Sequence, residues 1–181
     1  LLQIFNNTGK VFFLDSKAYN FILVDIQLQL ISEPKAPADF HPCFKENTQI
    51  LTNNGYENIE TLQIGDSIKT LYHEYKKIVS IQKKEVIHPM NTNRIKNQLY
   101  KCSQTQYPDL LEDLIITGCN CLLVTKIDSK EQKMKTIEIV DDVYITDGRY
   151  RLPACVDEKS SIYECAGKHT VYHFSLENQD T

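Results

Sequence analysis

Cys43 is the residue best placed to do chemistry in this chain. It follows Pro42 at the end of the run SEPKAPADFHP, which holds three of the six prolines, and it opens the turn-rich stretch CFKENTQILTNNGYENIETLQIGDSIKT. A thiol at the first residue of a folded unit is positioned to attack the carbonyl of the residue before it, turning the Pro42–Cys43 amide into a thioester. The fold would then have to hold that peptide and offer a donor to its carbonyl oxygen. Taken alone, a cysteine here is more often a small packing residue, and that reading stays open at this level. The six cysteines, at 43, 102, 119, 121, 155 and 165, form no compact disulfide framework in a chain long enough to build a core, so reduced thiols are expected. Cys119, Cys121, Cys155 and Cys165 could be gathered into a zinc set, but they lack the C-x-x-C pairing of structural zinc sites. No metal and no cofactor is expected.

The elements that must position Cys43 read as short strands. KVFFLD, NFILVDIQLQLI, TQILT, DSIKTL, KKIVSIQKKEVI, DLIIT, CLLVTKI, TIEIV, VYIT and TVYHFSL are rich in Ile, Val, Leu, Tyr and Thr. Turn chemistry separates them at Asn53-Asn54-Gly55, Gly65-Asp66, Thr117-Gly118 and Asp147-Gly148. Helical pattern is scarce: SKEQKMKT, residues 129 to 136, is a modest candidate that a polar loop would explain equally well. The fold class is therefore all-β, with a small β segment at 1–33, a proline-rich linker at 34–42 and the main domain at 43–181. The chain opens at Leu1 with no basic-then-apolar leader and is expected to be part of a longer polypeptide.

Composition narrows the partners. The 181 residues are 41% apolar and carry a net charge of −4, with both signs interspersed. No basic patch exists to neutralise phosphates, so a nucleic-acid partner is not expected. The longest apolar run, Phe21 to Ile31, is interrupted by Asp25, Gln27 and Gln29 and falls short of a membrane span, so no membrane partner is expected.

From Cys43 onward the sequence resembles the Hint family, the self-processing domain shared by hedgehog proteins and inteins. The resemblance rests on Cys43, Thr48, the strand Ile50-Leu51-Thr52, Gly55, Ile59-Glu60, Leu62, Gly65-Asp66 and Thr70. A second block, DLIITGCNCLLV, is similar to the family's Thr-x-x-His strand, and a third, TVYHFSLENQD, to its late strand. RIKNQLYKCSQ (94–104) and YRLPACVDE (150–158) resemble the Hint domains of large DNA viruses, which implies a host cytoplasm or a virion as the location.

The resemblance implies a horseshoe of short strands and a mechanism. Cys43 is the implied nucleophile, Pro42 the acyl group it takes, and Thr117 a hydroxyl beside the scissile peptide. The family histidine that protonates the leaving nitrogen is Asn120 here, and an amide exchanges no proton near neutral pH. His173 and His88 are the candidate substitutes. The chain ends in LENQDT, without the terminal asparagine strand that splicing requires. The expectation is self-cleavage at Pro42–Cys43 without full splicing, acting in cis on the upstream polypeptide, with a thiol, water or another nucleophile as acceptor. The alternative is an impaired Hint scaffold serving as a structural or interaction module.

Overall fold

A computed structural model describes residues 4–5, 11–12, 42–70, 75–146 and 148–177. Most of the expected segments KVFFLD and NFILVDIQLQLI, nearly all of the linker, Asp147 and the end of the third block lie outside them. Near the N-terminus, β1 (Ile4–Phe5) and β2 (Val11–Phe12) form an antiparallel pair.

The all-β reading holds. The main sheet draws on β3 (Phe44–Lys45), β4 (Gln49–Thr52), β5 (Gly55–Asn58), β6 (Ser67–Lys69), β7 (Tyr75–His88), β8 (Leu99–Cys102) and β9 (Leu114–Thr117). A second, three-stranded sheet has the order β10 (Cys121–Val124), β12 (Arg149–Pro153), β11 (Ile145–Thr146). With β13 (Ser161–Ile162) and β14 (Gly167–Leu176), the main sheet has nine strands in the order β13-β8-β9-β3-β14-β7-β6-β4-β5. Every pairing is antiparallel. The two-residue strand β3, which follows Cys43 directly, therefore lies between β9 and β14.

Side-chain alternation assigns the faces of this region. On β14, Tyr172, Phe174 and Leu176 enter the large core, where Phe174 stacks on Phe44 of β3 with ring centroids 5.8 Å apart. Val171 of β14 joins Cys43, Val86 and Leu99 in a small separate cluster, with Ile115 packed against it. Phe44 and Cys43 are neighbours in the chain, so when Phe44 enters the large core Cys43 turns toward the small cluster. The same period of two places Thr117 with Ile115 and His173 with Val171. Each fully buried Phe or Ile of the large core contributes roughly 1.5–3 kcal/mol, so the core holds β3 firmly in register.

Three sequence expectations change. The helical candidate is a helix, α1 (Lys130–Val140), with the Ser129 side chain accepting from the Gln132 N–H at its start. It runs through TIEIV, which reads as a strand by its β-branched residues but buries Thr136 one turn after Gln132 and packs Ile139 against the core. β8 and β12 form where no strand was expected. Each is short and interrupted by Lys or Arg, and gains its hydrogen bonds from distant partners, β9 for β8 and β10 for β12.

Candidate functional site

The structure brings Pro42, Cys43, Thr117, Asn120 and His173 together around one junction. The Cys43 N–H, which is the nitrogen of the Pro42–Cys43 peptide, donates to Thr117 Oγ1 at 2.9 Å. His173 Nδ1 donates to the Pro42 carbonyl oxygen at 2.9 Å; since a carbonyl only accepts, Nδ1 carries the proton. The Pro42–Cys43 peptide is thus held at both ends by side chains from the two strands that flank β3. One residue on, the Cys43 carbonyl accepts from the Thr117 N–H at 3.1 Å and from Asn120 Nδ2 at 2.6 Å.

Asn120 thus holds the peptide group after Cys43 and leaves the Cys43 nitrogen to Thr117. Its Oδ1 is buried without a donor, one of two such side-chain atoms among the described residues. The turn that carries it is tightly built. The Asn120 N–H donates to the Thr117 carbonyl at 3.0 Å, and its own carbonyl accepts from the Ala154 N–H at 2.6 Å. Gly118 sits where a Cβ would fall 2.7 Å from Tyr100 Cε2 and 2.9 Å from the carbonyl oxygens of Ile95 and Lys96, so any side chain there would displace the turn.

Cys43 is only 4% exposed, as buried as a packing cysteine would be. Its thiol is pushed up to about 12, first by burial and then by the neighbouring Cys119 thiol, with the Lys84 ammonium opposing. Burial therefore keeps the Cys43 thiol protonated at neutral pH. Cys119 donates its S–H to Thr117 Oγ1 at 3.6 Å, and its thiol is raised to about 11, chiefly by burial.

The remaining candidates have other tasks. The Thr48 hydroxyl donates to the Lys45 carbonyl at 2.6 Å and closes the turn between β3 and β4. His88 has both nitrogens engaged with backbone: Nδ1 accepts from the Leu99 N–H at 3.1 Å and Nε2 donates to the Tyr163 carbonyl at 2.7 Å, so it has no proton to deliver. All six cysteines are reduced. The four-cysteine zinc set is not assembled, and among the described residues no group of three metal-ligating side chains comes together.

Arg94 is the residue that sequence reasoning missed. Its guanidinium donates to the carbonyls of Ala154, Cys155, Asp157 and Ser160 and to Ser160 Oγ, all within 2.7–2.9 Å, and it lies over the Tyr100 ring at 4.9 Å. That clamp bears on the junction, because Cys155 N–H donates to the Gly118 carbonyl at 2.9 Å and Ala154 N–H to Asn120. The only available signal was a lone arginine in a loop, and its acceptors, being backbone carbonyls, leave no mark in a sequence.

Comparison with known proteins follows the same lines. The profile of the Hint domain family matches residues 42–99. No curated protein matches the chain. Among solved structures, the crystal structure of the gp41-1 intein is similar to this one with 9% sequence identity, covering 75% of this chain and 88% of that one at a TM-score of 0.39, a likeness too low to bear on function. The matched stretch begins at Pro42, one residue ahead of the buried thiol, so residues 42–99 are similar to a Hint domain.

Proposed function

We propose that the domain cleaves itself at Pro42–Cys43 through an N–S acyl shift. The observation that carries this reading is the two-ended grip on one peptide: a donor on the Pro42 carbonyl and an acceptor on the Cys43 nitrogen, each at 2.9 Å. As Cys43 Sγ bonds to the Pro42 carbonyl carbon, the π electrons move to oxygen, where His173 Nδ1–H meets the growing charge. A preorganised donor at that atom typically lowers such a barrier by about 3–4 kcal/mol. Thr117 holds the nitrogen so that the C–N bond remains aligned for departure. The resulting thioester is open to water or an external thiol, which releases the upstream polypeptide ending at Pro42.

Asn120 favours a second reading, that of an impaired scaffold. It supplies no acid, and its bond at 2.6 Å goes to the carbonyl of the next peptide, away from the nitrogen that needs a proton. Intact-mass spectrometry with and without dithiothreitol at neutral pH separates the two, with Cys43→Ala and Asn120→His alongside. The cleavage reading expects thiol-dependent release of a fragment ending at Pro42, abolished in Cys43→Ala. An inert native chain with release only from Asn120→His would leave the scaffold reading in its place.

A further inference from the structure

The acyl shift moves a proton as well as an acyl group. It begins with Cys43 S–H and an amide N–H and ends with an S–C bond and an amine, so the thiol proton must reach the nitrogen. Asn120 has no exchangeable proton to give, and the His173 proton is committed to the Pro42 oxygen, where charge accumulates. Thr117 Oγ1 is the atom in direct contact with the nitrogen, and it has a second partner: it accepts from the Cys43 N–H at 2.9 Å and from the Cys119 S–H at 3.6 Å.

We infer that Cys119 is a positioning residue for proton transfer, acting through the Thr117 hydroxyl to return the Cys43 thiol proton to the departing nitrogen. The inference rests on the cleavage reading above. When Cys43 Sγ bonds to the Pro42 carbon, its proton passes to Cys119 Sγ, the Cys119 proton passes to Thr117 Oγ1, and the Thr117 hydroxyl proton passes to the nitrogen. The C–N bond then breaks with its electron pair remaining on nitrogen. Each relay atom ends with the number of protons it began with, and no outside acid or base is consumed. Two further observations agree. The Cys43 and Cys119 thiols are near enough that charging one disfavours charging the other, and burial keeps both protonated at neutral pH, the state from which the relay starts. The hydroxyl accepts from the amide N–H at rest and turns to donate once that nitrogen gains a lone pair, a rotation the Thr side chain makes without moving β9.

The test is a set of rates for dithiothreitol-induced release, measured by intact mass on the native chain, Cys119→Ala, Cys119→Val, Cys119→Ser, Thr117→Val and Thr117→Val with Cys119→Ala, each checked for a native-like melting temperature. Ala and Val remove the donor, Val while keeping more of the volume, and either should slow release by about tenfold to a hundredfold, the lower part of the range for a proton-transfer group. Ser, which keeps a donor, should restore most of the rate. In the Thr117→Val background, removing the thiol should change nothing further, because Cys119 acts only through that hydroxyl; a packing role would give additive losses in the same cycle. Native cleavage with unchanged rates in the folded Ala or Val variant, or additive losses, overturns the relay and leaves the cleavage reading standing. No release from the native chain overturns both.

Discussion

At the junction, three side chains from two segments converge on two consecutive peptide groups, whereas at the Arg94 corner one side chain fans out to five oxygens of a single loop. Both are polar networks, the junction buried and the corner partly open to solvent, and they are sensitive to different things. Where several donors share a target, the loss of one removes a single bond of about 0.5–1.5 kcal/mol and the fold survives. Where one cation serves many acceptors, its loss removes several bonds at once, here leaving Ala154 and Asp157 only the Ser160 donors. On the cleavage reading the junction is therefore where chemistry would be set, and the corner is where the geometry behind it is secured.

Arg94→Ala should have the largest effect. It takes the shared donor from four carbonyls and the Ser160 hydroxyl, of which the Cys155 and Ser160 carbonyls have no second donor among the described residues, and at this part-buried corner the loss costs about 2–4 kcal/mol, which lowers the melting temperature by roughly 10 °C in thermal denaturation. Arg94→Lys should recover little of it, because an ammonium cannot reproduce the planar fork that serves Ala154, Cys155 and Asp157 at once. A lysine variant as stable as the native chain would show that charge alone holds the corner.

His173→Ala is the converse. One hydrogen bond to Pro42 is lost, so the melting temperature should stay within a few degrees, while thiol-induced release slows by about a hundredfold to a thousandfold. If stability and rate fell together, the distinction between the two regions would fail. Gly118→Ala lies between them, since its new Cβ would meet the Tyr100 ring and the carbonyls of Ile95 and Lys96. Overpacking of about 1–3 kcal/mol is expected there, with a loss of release because Thr117 and Asn120 are displaced with the turn. Denaturation and release assays on the same sample would check both.

The same contrast marks what the sequence could disclose. Cys43 and Thr117 were legible because their types, order and strand context form a recognisable block. The faces of β9 and β14 were legible in principle, because strict alternation puts Thr117 beside Ile115 and His173 beside Val171. That His173 meets the Pro42 carbonyl was not, because it depends on β3 lying between β9 and β14, a pairing of segments some 130 residues apart. Arg94 was invisible because its acceptors are backbone atoms of a loop some 60 residues away. The stretch TIEIV misled for a further reason: its β-branched residues favour a strand in isolation, and only the cap at Ser129 and the burial of Gln132 and Thr136 on one face decide for a helix.

His88 supplies the smallest prediction and a control for the comparison, since it pins β7 to β8 and to Tyr163 without touching the junction. Burial lowers its pKa below the ordinary histidine value, the bond to the Tyr163 carbonyl opposes that, and the nearby His169 ring adds to the lowering. The folded state therefore binds fewer protons here than the unfolded chain, whose histidine titrates near about 6.5. Its contribution to stability is complete above that pH and is lost as the pH falls toward the lower folded value. The structure gives the reason: a proton on Nδ1 would face the Leu99 N–H, replacing an accepted hydrogen bond with a clash of donors. Melting temperatures taken between pH 7.5 and pH 5 should fall more steeply for the native chain than for His88→Gln, whose side chain does not titrate. Equal slopes would mean that His88 accommodates its proton. A steeper slope accompanied by no loss of release at pH 6, relative to the variant, would show that the end of β7 and the junction respond to protons independently.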